Sequence, residues 1–499
     1  MSMVTMFEPD ESAMVPIIRR MAGPHVNLVH TIYRMVAYGF YHYGFPHFAP
    51  SAIILKLLTF FGQGENLSLV MLSLRQLISV LPMIASLWVL VYLQDQFKTW
   101  RSIALLVFLL AVPAVVQNGY WWHPDGLVML FSSLVLYFLW KDKRTFGKNF
   151  FIAAILCGIL VALKVVGFFF FLTIAVVLIW GLIEKRLTWK QFFLKGIQFI
   201  LIMAVAIVVA SPHLLIPNHR AFAFTVLKRE IFETSKGYGI FYEKGLFSAW
   251  PTMRAFYGEA VFLLTAIGVS IWSLWNEKRR FLTVLILSWF IPLSIHLFFF
   301  SHFKYQYWLP VAIPLFSNLA FLLPGGKGEG VQQDKNKVVK LILLLIVVVQ
   351  FGLFLVKDVE LFKERNNRAE NNPAIQFYDK ALVELASVTQ DKLVYYDYRL
   401  YMLEKPGWFV ENSFDLLTYD YIRSRNFDLL FLSQQRILDY LHPSAVGLDP
   451  STFAQSQEFY RDANEETLEG YKLLLRDDTV LLYIRQDLCK KYYSPGRCD

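Results

Sequence analysis

The sequence predicts an α-helical polytopic membrane protein of about ten spans, with a small C-terminal α/β domain outside the membrane. Of its 499 residues, 56% are hydrophobic and only 17% are charged, which is too apolar for a soluble globular chain of this length. Apolar segments recur between residues 67 and 356, and a polar, asparagine-rich stretch at 364–373 then ends the pattern. We therefore expect a first outer loop at 1–66, a transmembrane bundle at 67–356 and an outer domain at 357–499.

The apolar segments define the expected spans, because about 20 apolar residues cross the hydrocarbon core as a helix. Their bounds are 67–93, 102–117, 126–140, 149–163, 165–183, 196–216, 258–275, 281–300, 309–324 and 339–356. One division depends on Lys164. A single helix over 149–183 would extend about 50 Å, well beyond the roughly 30 Å core, so we expect a hairpin that turns at Lys164.

Lysine and arginine in the short connections predict the orientation of the chain. If the N-terminal loop lies outside, the short outer connections hold only Lys164 and Lys304, and the remaining basic residues lie inside. The inner residues are Lys98, Arg101, Lys141, Lys143, Arg144, Lys148, Lys185, Arg186, Lys190, Lys195, Lys278, Arg279, Arg280, Lys327, Lys335 and Lys337. This asymmetry follows the positive-inside rule and explains the net charge of +9 without a nucleic-acid partner. We expect a multi-pass protein of the cell (inner) membrane whose active site lies on the outer, periplasmic face.

The first 66 residues contain an acidic pair, Asp10-Glu11, and no apolar span. Residues 24–60 mix aromatic and histidine side chains with glycine and proline, a pattern that favours helices lying in the membrane interface. No charged segment followed by an apolar core precedes them, so no signal peptide is visible. Since the acidic loop is expected outside, we expect that an upstream span is missing from this chain.

The region after residue 373 is predicted to be a small α/β domain. The expected elements are helices at 374–389, near 414–424 and at 434–441, strands at 393–396 and 429–432, and a hairpin of 471–475 with 480–484. The region has no glycine-rich phosphate loop, GxSxG or HExxH, so we interpret it as support or acceptor recognition. Cys489 and Cys498 can form one bridge if this domain lies in an oxidising compartment.

Ionisable side chains collect in the connections that are expected outside. Transfer of a sugar from a phospholipid carrier to a hydroxyl needs a base for the acceptor proton and cations against the leaving phosphate. Asp10 is the candidate base, and Glu11 lies beside it. The candidate phosphate ligands are Lys304, Lys164, Arg75 and His302. The structural alternatives are ordinary solvated charge for the acidic pair and lysines that snorkel to the headgroups.

The connection from Trp121 to Gly126 holds a second group of candidates. His123 and Asp125 are two residues apart, and they can orient a sugar hydroxyl or join Asp10 in a divalent metal site. Tyr305 and Tyr307, in the outer connection at 301–308, are further candidates for substrate binding. We predict no cofactor and no metal site, with a divalent ion as the open alternative.

Five short motifs follow one another along residues 7–324. They are Asp10-Glu11, His123-Pro-Asp-Gly126, Ala162-Leu-Lys164, Ser211-Pro-His-Leu-Leu-Ile-Pro217 and Phe303-Lys-Tyr-Gln-Tyr-Trp-Leu-Pro-Val-Ala-Ile-Pro314. In their order and sidedness they resemble the GT-C glycosyltransferases, and within these the protein O-mannosyltransferase and aminoarabinose transferase group. The resemblance implies inverting transfer from a polyprenyl- or dolichyl-phosphate sugar, with Asp10 as base, Glu11 positioning the acceptor and Lys304 near the donor phosphate.

The expected partners are a lipid-linked sugar, membrane lipid and an acceptor that is a protein, a lipid or a glycan, with no nucleic acid. Two other classes of function stay open. A flippase or transporter of lipid-linked sugars predicts ionisable groups near the bilayer midplane and symmetry between halves, neither of which the sequence clearly shows. A structural or assembly protein predicts that Asp10→Asn leaves function unchanged.

Overall fold

The computed structural model describes residues 8, 10–23, 26–236, 244–323, 337–388, 391–397, 400, 407–413, 417–447 and 449–498. Phe7, Lys327 and Lys335, which the sequence analysis used, lie outside this part. The chain divides into two compact units. The helical unit consists of the described residues within 15–227 and 244–362, and the sheet unit of those within 1–14, 228–243 and 363–499.

Helices form almost all of the helical unit. Those that belong to it wholly or in part are Glu11–Ala22, Leu28–Val36, Phe45–Phe60, Leu67–Leu74, Leu81–Asp95, Trp100–Leu110, Pro113–Gly119, Asp125–Asp142, Lys148–Leu163, Phe170–Ile183, Trp189–Ala210, Pro217–Lys236, Leu246–Tyr257, Ala260–Ser273, Glu277–Ile295, Tyr305–Ser317 and Lys337–Glu370. Short 3₁₀ or π turns occupy Arg75–Val80, Val165–Phe169, Pro212–Leu215, His296–Phe300 and Asn318–Phe321.

Each expected span has a helical counterpart, but the count of ten is not confirmed. In the described part, five helices are long and apolar enough to cross a membrane, or seven if each of two bent pairs is one span. Trp100–Leu110 meets Pro113–Gly119 at 67°, and Leu246–Tyr257 meets Ala260–Ser273 at 84°. Other helices are short: Lys148–Leu163 has 16 residues, about 24 Å, which is less than the hydrocarbon thickness.

The helix end expected at Lys164 is confirmed. The helix stops at Leu163, Lys164 has extended backbone angles, and a 3₁₀ turn begins at Val165. This turn packs on the helix end, because a β-carbon at Gly167 would lie 2.7 Å from the backbone nitrogen of Val161. The apolar run at 149–183 is therefore two helical segments separated at Lys164.

Apolar side chains cover exposed faces of the helical unit. On the helix Trp189–Ala210, one such stripe recurs every fourth residue and consists of Ile197, Leu201, Val205 and Val209. In water such a surface would be unfavourable, whereas lipid chains solvate it and the helix satisfies its own backbone polar groups. The chain is thus a multi-pass α-helical membrane protein.

The described part of the sheet unit contains a five-stranded mixed sheet with helices around it, which confirms the predicted α/β class of this region. Its strands are β1 (Lys392–Asp397), β2 (Trp408–Ser413), β3 (Leu429–Ser433), β4 (Tyr471–Arg476) and β5 (Val480–Arg485), in the order β2-β1-β3-β5-β4. β1 pairs in parallel with β2 and β3, and β5 pairs antiparallel with β3 and β4. Its further helices are Pro373–Glu384, Tyr419–Arg425, Gln434–Leu441, Pro450–Glu465, Gln486–Tyr492 and Pro495–Cys498, with a 3₁₀ turn at Leu385–Ser387.

The expected hairpin is confirmed as β4 and β5, and a disulfide joins Cys489 to Cys498. Four elements are not among those that the sequence predicts: β2 and the helices Pro450–Glu465, Gln486–Tyr492 and Pro495–Cys498. The third cysteine, Cys157, is free and buried in the helical unit.

Candidate functional site

A buried carboxylate, Asp125, is the centre of a polar cluster in the helical unit. Its Oδ1 lies 2.7 Å from Nζ of Lys164, and its Oδ2 lies 2.5 Å from Nδ1 of His123. The Asp125 side chain is only 2% exposed, whereas that of Lys164 is 19% exposed. A buried carboxylate is costly unless it is paired, and here a lysine and a histidine pair with it.

The cluster continues from His123 to Tyr43. Nε2 of His123 lies 2.8 Å from the hydroxyl of Tyr43, and the two rings meet edge to face with centroids 4.7 Å apart. Nδ1 of His123 faces the Asp125 carboxylate, and an ionised carboxylate can only accept hydrogen bonds. In the tautomer whose proton is on Nδ1, Nε2 accepts a hydrogen bond and the Tyr43 hydroxyl donates it.

Local chain geometry places Asp125 and His123. Asp125 is the first residue of the helix Asp125–Asp142, where the helix dipole favours a negative charge. The Ser79 hydroxyl donates to the carbonyl of His123 (3.3 Å) and accepts from its backbone N–H (3.2 Å). A β-carbon at Gly126 would lie 2.5 Å from the Ser79 carbonyl oxygen, so only glycine permits this approach. Ser79 belongs to the π turn Arg75–Val80, a type of turn that is frequent at functional sites.

The two lysines expected on the outer side lie around one tyrosine ring. Nζ of Lys164 is 4.7 Å and Nζ of Lys304 is 5.8 Å from the centroid of the Tyr307 ring. Lys304 immediately precedes the helix Tyr305–Ser317, which also carries Tyr307. The structure therefore brings together two ammonium groups that are 140 positions apart in the chain.

Tyr305 is half-buried and packs against the segment that precedes Gly258. Its ring stacks on that of Phe256 with centroids 4.4 Å apart, and its carbonyl accepts a hydrogen bond from the Tyr257 hydroxyl. The Trp308 ring meets that of Tyr257 edge to face at 4.9 Å. These contacts fix the start of the helix Tyr305–Ser317.

The two remaining candidate ligands of the phosphate are His302 and Arg75. Burial, together with the nearby Lys304, lowers the pKa of His302 to about 3, so this ring is neutral at pH 7 and can offer hydrogen bonds but no charge. Arg75 is buried at the first position of its π turn, only 5% exposed. Its guanidinium offers five N–H donors and no acceptor.

The acidic residues near the N-terminus form a cluster of their own within the sheet unit. The Glu8 carboxylate pairs with Arg365, and the Glu8 backbone N–H donates to Oε2 of Glu11 at 2.8 Å. Glu11 is buried and begins the helix Glu11–Ala22. Its carboxylate thus stabilises the turn before this helix, while Asp10 lies within that turn with its side chain partly exposed.

Of the expected residues, the structure brings together His123, Asp125, Lys164, Lys304 and Tyr307. Among the described residues, no group of three or more His, Cys, Asp or Glu side chains is placed to hold a metal ion. Tyr43 is not among the residues that the sequence predicts for the site, although it belongs to the segment rich in tyrosine and histidine. Nothing in its local spacing distinguishes it from Tyr38 or Tyr41, because its partner lies 80 positions away.

No protein-family model matches the sequence, and neither does any curated protein. The fold is similar to that of ArnT from Cupriavidus metallidurans, whose crystal structure is bound to undecaprenyl phosphate. The match covers 95% of this chain and 96% of that one, with a TM-score of 0.53 and 13% sequence identity. The Archaeoglobus fulgidus oligosaccharyltransferase, in complex with Zn and sulfate, matches 90% of this chain and 65% of its own, with a TM-score of 0.46 and 14% identity. The match to ArnT, which spans nearly the whole of both chains, shows a shared overall fold.

Proposed function

We propose that this protein is an integral membrane glycosyltransferase that takes a sugar from a polyprenyl- or dolichyl-phosphate donor. The acceptor is a protein, a lipid or a glycan on the outer face of the membrane. One observation carries the proposal: Lys164 and Lys304 lie around the Tyr307 ring, in a fold like that of a protein that binds undecaprenyl phosphate.

The two lysines suit a phosphate leaving group. As the bond between the sugar and the phosphate oxygen breaks, its electron pair stays on that oxygen, and nearby cations stabilise the charge. In the proposed complex, Lys304 and Lys164 bind the phosphate, and the positive charge of Arg75 adds to theirs. His302 donates a hydrogen bond as a neutral ring. Tyr305 and Tyr307 line the donor site, with the Tyr307 ring holding both ammonium groups by cation–π contacts.

Asp10 is the proposed general base. The acceptor oxygen attacks the anomeric carbon opposite the phosphate, its proton passes to the Asp10 carboxylate, and the lipid phosphate leaves, so the configuration inverts. Glu11 assists by fixing the turn that carries Asp10, as its contact with the Glu8 N–H supports. A carboxylate is suited to this step because its oxygens can accept the proton of the attacking hydroxyl.

A disulfide supports the outer location of the sheet unit. The disulfide between Cys489 and Cys498 is a bond that persists in oxidising compartments such as the periplasm or a lumen. The distribution of lysine and arginine also supports an outer location for this end of the chain. We therefore assign the sheet unit, and with it Asp10, to the outer or periplasmic face of the inner membrane.

The test is sugar transfer in membranes that contain the protein, with synthetic polyprenyl-phosphate sugars as donors. We expect Asp10→Asn to lower transfer by about 100-fold or more, because a positioned base contributes at least that factor. Asp478→Asn is the matched control, since it removes one exposed carboxylate in the β4–β5 turn of the same unit. Undiminished transfer by Asp10→Asn, at equal protein levels, would remove Asp10 from the mechanism. Passage of the lipid-linked sugar across vesicles without transfer would favour the flippase alternative.

A further inference from the structure

Four side chains form one continuous series of polar contacts in the helical unit. The Tyr43 hydroxyl contacts His123 Nε2, His123 Nδ1 contacts Asp125, and Asp125 contacts the Lys164 ammonium, at 2.8, 2.5 and 2.7 Å. When the His123 ring is neutral with its proton on Nδ1, each contact has one donor and one acceptor. The Tyr43 hydroxyl faces the acceptor Nε2, and both Nδ1–H and the Lys164 ammonium face the Asp125 carboxylate. We call these four residues the relay.

The backbone closes the relay into a ring. Gly44, which follows Tyr43, donates its N–H to the carbonyl of Leu163, which precedes Lys164, at 3.3 Å. The two ends of the relay are therefore anchored to each other by main-chain atoms as well as by side chains. In such a ring, the position of Lys164 depends on every member, because loss of one contact releases the neighbours on both sides.

The exposed fraction of the side chain differs among the members of the relay. A cluster that served packing alone would not need an exposed member. His123 and Asp125 are 1% and 2% exposed, while the last member, Lys164, keeps 19% of its side chain exposed beside Tyr307. A buried polar network that serves packing alone is often replaceable by apolar side chains at no cost in stability. Here the buried members His123 and Asp125 adjoin Lys164, whose ammonium is partly accessible.

We infer that Tyr43 and His123 are positioning residues that act through Asp125 to hold the Lys164 ammonium at the face of the Tyr307 ring. The inference rests on the proposed function, in which Lys164 binds the donor phosphate at this place. Asp125 occupies one side of the ammonium and leaves its other N–H groups for the phosphate. Tyr43 and His123 touch neither the donor nor the acceptor, and they act by fixing the carboxylate.

The test measures how firmly Lys164 is held, without relying on sugar transfer. The purified full-length protein is treated with a water-soluble amine-reactive ester, and acylation of Lys164 is followed by mass spectrometry against exposed Lys190 as the internal reference. The nitrogen must leave its contacts with Asp125 and Tyr307 before it can attack the ester. We expect Tyr43→Phe and His123→Gln to raise the labelling rate by about 2- to 10-fold, the factor for loss of one net hydrogen bond.

Tyr41→Phe is the matched control. Its hydroxyl lies 2.6 Å from Nδ1 of His219, so the substitution removes another tyrosine–histidine contact from the same segment. Asp125→Asn sets the upper limit of the labelling rate. Unchanged labelling in Tyr43→Phe and His123→Gln, or an equal rise in Tyr41→Phe, would overturn the inference.

A second measurement, the KM for the donor, tests whether the relay affects donor binding. We expect Tyr43→Phe to raise the KM for the polyprenyl-phosphate sugar with little change in kcat, because it weakens donor binding and leaves the base intact. A fall in kcat at constant KM would contradict the assignment of Lys164 to the donor phosphate. If the unmodified protein transfers no sugar, the proposed function fails, while the labelling rates still decide whether Tyr43 and His123 position Lys164.

Discussion

The backbone N–H of Gly44 donates to the carbonyl of Leu163, at an approach that leaves no space for a side chain at Gly44. A β-carbon there would lie 1.6 Å from the carbonyl oxygen of Ala162. The segment before the helix Phe45–Phe60 is thereby fixed on the end of the helix Lys148–Leu163. This single main-chain contact sets how closely Tyr43 can approach the site around Lys164.

Gly44→Ala should strongly destabilise the helical unit, since backbone atoms of Ala162 would have to move to admit the methyl group. We expect a loss of about 3 kcal/mol or more, or failure to accumulate in the membrane. Gly268→Ala is the control, because a β-carbon there meets nothing within 4 Å and alanine favours a helix. Thermal unfolding in detergent measures both variants. Equal melting temperatures for the two variants would show that the segment before the helix Phe45–Phe60 can move away from Ala162 without loss of stability.

Asp125→Asn should destabilise the helical unit because it removes the carboxylate that pairs with Lys164. The expected cost is about 3 kcal/mol, at the low end for a broken buried pair, since Lys164 keeps partial exposure. The double variant Asp125→Asn/Lys164→Met should recover part of this loss because no ammonium is then left near the amide. A double-mutant cycle on thermal stability measures the coupling. Additive effects would argue against the pair.

Lys304→Met should raise the KM for the lipid-phosphate donor by about 10- to 100-fold, the range for loss of one hydrogen bond to a charged group. Lys190→Met, which removes an exposed lysine from a predicted inner connection, should leave the KM unchanged. Initial rates of transfer at varied donor concentration give both values. A normal KM in Lys304→Met would exclude Lys304 as a donor ligand.

Reduction of the disulfide between Cys489 and Cys498 should loosen the end of the sheet unit. The bridge closes a loop with a sequence separation of 9, for which chain entropy gives about 2–3 kcal/mol. Hydrogen exchange of β5 and of the helix Gln486–Tyr492 should therefore rise on addition of a reductant. The double variant Cys489→Ser/Cys498→Ser should exchange rapidly with or without reductant. Equal protection in all samples would contradict a stabilising role.

The sequence predicts the helical class and the mixed α/β class of the C-terminal region because both depend on periodicity over many residues. The end of a helix at Lys164 follows from length alone. Short elements are harder: β2 lies at the edge of the sheet, and its second half, Glu411-Asn-Ser413, is polar. The helix Pro450–Glu465 packs with Phe453, Phe459 and Tyr460, which are too few apolar positions to distinguish it from a loop.

For the candidate site, too, the sequence predicts individual residues but not the contacts between residues that are far apart in the chain. His123, Asp125, Lys164 and Lys304 are visible in the sequence because ionisable residues at the ends of apolar segments are unusual. Their pairing is not visible, since it joins positions in different helices. For this reason the sequence suggests that Lys164 binds phosphate, whereas the structure adds that it also neutralises Asp125.

The relay also constrains how the protein is made. The ribosome produces Asp125 39 residues before Lys164, which at 5–20 residues per second is about 2 to 8 s. A carboxylate without its cation stays in water or in the polar channel of the insertion machinery, because hydrocarbon is unfavourable for it. We therefore expect the helices Asp125–Asp142 and Lys148–Leu163 to enter the lipid together, after Lys164 has been made. Formation of the pair between Asp125 and Lys164 would then be a condition for membrane insertion, in addition to its role in the mature protein.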